Sequence, residues 1–119
     1  MCTPMSLRHA RSRSSWQALS TRSAVCTMRL TAAGIAGEMA STADCDEANW
    51  YRTIAVNLKG MWLCLRAEIK QILADGGGSI VNTSSVAGLR GYPGIPAYSA
   101  SKGGVIQLTR TAALGVRDG

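Results

Sequence analysis

Tyr98 and Lys102 stand at i and i+4 near the start of a predicted helix, so both side chains leave one face. A phenol ordinarily ionises near pH ~10. A neighbouring ammonium and the positive end of a helix both favour the phenolate. The pair is therefore a candidate acid–base couple near neutral pH, although a bare Tyr-x-x-x-Lys is more often an ordinary surface pair. Ser84 and Ser85 sit where a predicted strand ends, and Ser85 precedes Tyr98 by thirteen residues across a loop. Ligands of open α/β sheets bind beyond the carboxyl ends of strands, so the Ser85 hydroxyl could polarise a carbonyl there, or could simply serve a turn. Asn57 lies inside Ala55-Val56-Asn57-Leu58-Lys59-Gly60. Asn and Gly in mid-helix mark a kink whose exposed carbonyl can hold a water.

The elements that must carry these residues follow from periodicity. Leu30-Thr31-Ala32-Ala33-Gly34 reads as a strand end running into a loop, and Ser41 to Asp46 supplies helix-start oxygens. Leu58, Met61, Trp62, Leu65, Ile69, Ile72 and Leu73 share one helical face, so a long helix is expected over 47–74, ended by Gly76-Gly77-Gly78. A buried strand is predicted over 79–84, then a Gly/Pro loop over 88–96, then a helix from Pro96 or Ala97 to Leu114 with Gly115 as its stop. Gly103 and Gly104 inside that helix imply close approach of another backbone or a ligand. Strand 79–84 should be central in its sheet, and its one candidate neighbour lies near 29–33. The fold class is α/β.

Composition narrows the function. The 119 residues are 46% hydrophobic and 17% charged, which is globular, with no Phe and an aliphatic core implied. The net charge of +6 is a terminal feature. Residues 1–30 hold five Arg and no acid, and the remainder has eight basic residues against seven acidic ones. No basic face suited to nucleic acid is expected, nor a membrane span. With His9 as the only histidine and no Cys-x-x-Cys, no metal site is expected, and four reduced cysteines suit the cytoplasm. The domain reading is an atypical Ser/Arg-rich segment over 1–30, expected to be disordered, and a partial domain over 31–119. The first segment fits an organelle transit peptide or an out-of-frame stretch.

In series, AAGI (32–35), AVNLKG (55–60), GGSIVNTSSVAG (77–88) and YSASK (98–102) resemble the short-chain dehydrogenase/reductase family over roughly residues 30–114. The resemblance implies a Rossmann-type doubly wound parallel sheet with flanking helices. It also implies NAD or NADP as cofactor, and hydride transfer between it and a small-molecule secondary alcohol or ketone. Tyr98 would be the acid/base, and Lys102 would favour its phenolate and bind the nicotinamide ribose. Ser85 would orient the substrate carbonyl, and Asn57 would complete a water relay toward Lys102. Thr83 and Ser84 would lie beside the nicotinamide, Ala33 and Gly34 on the adenosine side, and the loop around Pro93 to Pro96 would wall the substrate pocket.

The sequence departs from the family's pattern at its flanks. It contains no strand–GxxxGxG–helix unit for the pyrophosphate, and no further strand follows the Lys102 helix. The expected architecture is thus a partial Rossmann-type domain lacking the N-terminal βαβ nucleotide-binding unit and the C-terminal strand. A competing reading is a non-catalytic fragment or association module that pairs with itself or with a full-length relative through helices 47–74 and 97–114. Cofactor binding separates the two.

Overall fold

The computed structural model describes residues 28–32 and 34–117. Strand β1 (Met28–Thr31) pairs in parallel with β2 (Ser79–Asn82), with Met28 opposite Ser79 and Thr31 opposite Asn82. A backbone bond from Thr83 N–H to Thr31 O, 2.9 Å, extends the contact past the ladder. Parallel neighbours need a long crossover, and the predicted long helix supplies it. It forms as α1 (Glu47–Ile54), a π-helical turn over Ala55–Lys59, and α2 (Gly60–Ala74). Asp46 caps α1 by accepting from Asn49 N–H at 2.7 Å. Gly77 N–H closes the far end on Ile72 O at 2.8 Å. A short 3₁₀ turn over Val86–Gly88 leads on to α3 (Pro96–Arg117).

Three boundaries differ from the sequence reading. β1 opens at Met28, so Met28, Arg29 and Leu30 join the sheet, and a segment boundary at residue 31 falls too late. The strand expected near 29–33 thus starts inside the Arg-rich stretch, and its start is set by pairing with β2; residues 1–27 lie outside the described residues. β2 ends at Asn82 rather than Ser84. Helix α3 continues through Gly115 to Arg117, because a glycine stops a helix by adopting positive φ, and among the described residues only Gly37, Gly76, Gly77 and Gly94 do so.

The core is aliphatic, built from Met61, Leu65, Ile72, Ala87, Ala97 and Val105. The predicted stripe on the long helix is narrower than its periodicity suggests, since Trp62 and Leu73 are exposed. Leu65, Ile69 and Leu73 line, with Ile80 and Val116, an apolar groove of about 210 Å³ between α2 and α3. No helix among the described residues is long and apolar enough to cross a membrane. Cys45 and Cys64 are free thiols.

The core also holds a buried carboxyl. Glu68 on α2 is buried; its Oε1 accepts from Thr31 Oγ1 at 2.6 Å, and its Oε2 meets no hydrogen-bond partner. Burial pushes the Glu68 carboxyl above its ordinary pKa, opposed by the Thr31 bond and the Arg29 charge. Burial and the Glu68 charge likewise raise the Cys64 thiol. Glu68 thus holds its proton more tightly folded than unfolded. Its contribution is fully present at low pH and is lost as pH rises through the raised value. Between about pH 4 and about pH 8, the urea midpoint of the wild type should fall relative to Glu68→Gln. A constant gap between the two proteins would contradict this.

Candidate active site

The site forms where α3, the π turn and the segment following β1 meet. At the π turn the Gly60 N–H reaches Ala55 O, five residues back, in place of the α-helical four. Asn57 occupies this predicted kink with its side chain fully buried. Its Oδ1 accepts from Ile35 N–H at 2.7 Å, and its Nδ2 donates to Ile35 O at 2.8 Å and to Ser101 Oγ at 3.0 Å. Ser101 in turn donates to Tyr98 O at 2.7 Å. One amide therefore joins the chain after β1, the long helix and the first turn of α3.

Lys102 is buried and places its Nζ 5.8 Å from the centroid of the Tyr98 ring, within cation–π range. Gly34 lies against it: a Cβ there would stand 3.1 Å from Lys102 Nζ and 3.3 Å from Asn57 Oδ1. The missing side chain makes room for the ammonium. Tyr98, Lys102, Asn57 and Gly34 are thus brought together, with Gly34 against the lysine. Ala33 lies outside the described residues.

The serines divide their work. Ser85 is extended and caps the 3₁₀ turn, its Oγ accepting from Ala87 N–H at 3.2 Å. Ser84 donates to Lys102 O at 2.7 Å, so its hydroxyl braces α3 at the lysine itself. Thr83 is exposed and joins the sheet through its backbone. The turn that Ser85 begins presses on α3 without intervening side chains: a Cβ on Gly88 would lie 2.7 Å from Lys102 C and 2.8 Å from Gly103 N. The glycine pair in α3 is explained by this approach and by Leu58, whose Cδ2 would be 2.8 Å from a Cβ on Gly104.

Sequence reasoning missed five buried polar residues: Thr31, Asn49, Thr53, Glu68 and Ser101. Asn49, Thr53 and Asn57 recur every four residues, a stripe that reads as a solvated face until the segment at 35–38 is seen against it. Glu68 gave no signal in the sequence beyond a charge within an apolar helix.

These elements form part of a Rossmann-type α/β domain, with a tyrosine–lysine couple at the start of the helix after its second described strand. The model of the family described as short chain dehydrogenase matches residues 18–118, and the chain belongs to that family. It is 48% identical over 86 residues to a cyclohexanol dehydrogenase of Acinetobacter sp. (strain SE19), covering 72% of this chain and 34% of the relative. It is 46% identical over 83 residues to a (−)-trans-carveol dehydrogenase of Rhodococcus erythropolis, covering 69% and 30%. Among solved structures, NAD+-bound xylitol dehydrogenase superposes with a TM-score of 0.82 at 31% identity, covering 88% of this chain and 40% of that one. Levodione reductase gives 0.80 at 32% identity, covering 86% and 40%. The chain spans about a third of the length of the curated relatives it matches.

Replacing Asn57 with Ala would strand the half-buried Ile35 N–H and Ile35 O, and would take from Ser101 Oγ one of its two partners while leaving Tyr98 O. At ~1–3 kcal/mol for each buried unsatisfied group, the variant should lose about 3 kcal/mol or more in urea denaturation. A loss below about 1 kcal/mol would show that this amide does not hold the site together.

Proposed function

We propose that this chain carries the proton-transfer centre of an NAD- or NADP-dependent oxidoreductase acting on a secondary alcohol or its ketone. The observation that carries the reading is Lys102, buried beside the Tyr98 ring and against Gly34. Tyr98, whose ring faces that ammonium, is the group that accepts the proton of the substrate hydroxyl and returns it in the reverse direction. Ser85 Oγ accepts from Ala87 N–H, and its own hydrogen then serves a substrate oxygen. Lys102 also holds a ribose hydroxyl of the nucleotide. The Asn57 side chain is spent on Ile35 and Ser101, so its part in a proton relay falls to its backbone carbonyl, through a water. The residues fit a nicotinamide nucleotide through their donor set, since the Lys102 ammonium beside the bare backbone of Gly34 would meet a ribose hydroxyl. Such a cofactor would supply the hydride acceptor for the carbinol carbon, or the hydride donor in the reverse direction.

The rim offered to substrate is apolar. Met39, Leu89 and Tyr92 are 80%, 72% and 52% exposed beside this site's loops. Together with relatives named for cyclohexanol and carveol, this makes an alcohol on an apolar ring the first substrate to assay.

The test is a fluorescence titration with NADH and NADPH, followed by turnover of cyclohexanol by the wild type and by Tyr98→Phe. Saturable binding of one nucleotide is expected. The Phe variant should keep nucleotide affinity and lose ~10²–10⁴-fold in kcat. An unchanged rate would remove Tyr98 from the mechanism. A folded chain that binds neither nucleotide would favour association through helices 47–74 and 97–114.

A further inference from the structure

Asn49 on α1 has no part in the reaction just described, yet it is only 4% exposed. Both ends of its amide reach one residue of the facing chain, beside longer contacts within its own helix region from Thr53 Oγ1 to Oδ1, 3.4 Å, and from Nδ2 to Cys45 Sγ, 3.6 Å. Oδ1 accepts from Glu38 N–H at 2.9 Å, and Nδ2 donates to Glu38 O at 3.0 Å. A neighbouring strand would satisfy Glu38 with the same pair of bonds. Asn57 does the same for Ile35. The two amides are rungs from a helix that hold an irregular segment along it.

Between the rungs the chain is pressed hard onto α1. Gly37 has a φ of +75°, and a Cβ there would stand 2.5 Å from Thr53 Oγ1 and 2.7 Å from Asn49 Oδ1. Just past the Asn49 rung, Ala40 N–H donates to Gly94 O at 3.0 Å. Gly94 lies in the loop that runs directly into Pro96 and the helix bearing Tyr98. A continuous path of hydrogen bonds and chain therefore leads from Asn49 through Glu38 and Ala40 to that loop. It passes Met39, whose Cε would be 3.1 Å from a Cβ on Gly94. The Arg52–Glu38 ion pair at 3.4 Å is exposed at both ends and adds little to this hold.

We propose that Asn49 is a positioning residue for the substrate side of the site: its amide anchors Glu38 and, through Ala40, the loop at 89–95. This rests on the reading that this loop walls the substrate. The two rungs divide the labour. Asn57 serves the turn that carries Tyr98 and Lys102, whereas Asn49 serves the rim formed by Met39 and the loop. Loss of the Asn49 rung should therefore loosen substrate fit and leave the proton-transfer couple in place.

The experiment compares wild type, Asn49→Ala and Asn49→Asp by amide hydrogen exchange and by steady-state kinetics with cyclohexanol. In Asn49→Ala the Ala40 amide should exchange about tenfold faster, while Val105 in α3 keeps its protection. The alcohol KM should rise about tenfold, with kcat and cofactor KM within about twofold. Asn49→Asp keeps an acceptor for Glu38 N–H and loses the donor to Glu38 O, so it should fall between the two. Unchanged exchange at Ala40 overturns the proposal. So does faster exchange with an unaltered alcohol KM, or a fall in kcat and cofactor binding accompanied by lost protection at Val105. A wild type that turns over no alcohol contradicts the proposed function alone, and exchange at Ala40 then decides the anchoring claim by itself.

Discussion

The side-chain amide of Asn57 is the constraint on which the site depends. It has one acceptor oxygen and two donor hydrogens, and all are engaged, on Ile35 from both sides and on Ser101. Inside a protein such a group is costly unless every partner is present, so the arrangement is close to all-or-none. Its partners lie on three stretches of chain far apart in sequence. With the amide in place, Gly34 is set against Lys102, and the first turn of α3 is fixed through Ser101 and Tyr98 O. The π turn that contains Asn57 follows from the same requirement, because its wider bonding lets a helix residue meet α3 and the post-β1 segment together.

Around this amide, contacts are made at backbone distance. Gly88 meets α3 at Lys102 and Gly103, and Leu58 fills the space left by Gly104. Ser84 ties the end of the second strand to the carbonyl of Lys102. The lysine is thus fixed through its own main chain as well as its ammonium surroundings, so its position beside Tyr98 does not rest on a flexible side chain alone. Side chains hold their geometry best when the elements beneath them are locked in this way.

Much of this was legible in the sequence. Tyr98 and Lys102 declared themselves by a four-residue spacing, Asn57 by its place beside Gly60 in an apolar helix, and the long helix by its stripe. The strand near 29–33 was legible as the one candidate neighbour of the strand at 79–84, and the resemblance implied their parallel pairing. What stayed hidden was buried polarity. Asn49 and Thr53 belong to a stripe that local rules assign to water, and only an extended segment lying along the helix makes it an interior face. Glu68 is hidden for the same reason, since its partner Thr31 lies 37 residues away. The end of α3 was misjudged because a glycine near a helix terminus stops it only with a positive φ, and composition does not reveal the angle at Gly115.

The most direct test of this account is the nuclear magnetic resonance spectrum of the Asn57 side-chain amide in the ¹⁵N-labelled protein. If the amide joins the three segments, its two Nδ2 protons will be shifted apart and slow to exchange. They will also show cross-relaxation to Ile35 and Ser101. A pair of resonances at free-amide positions, exchanging with bulk water and without those contacts, would contradict it.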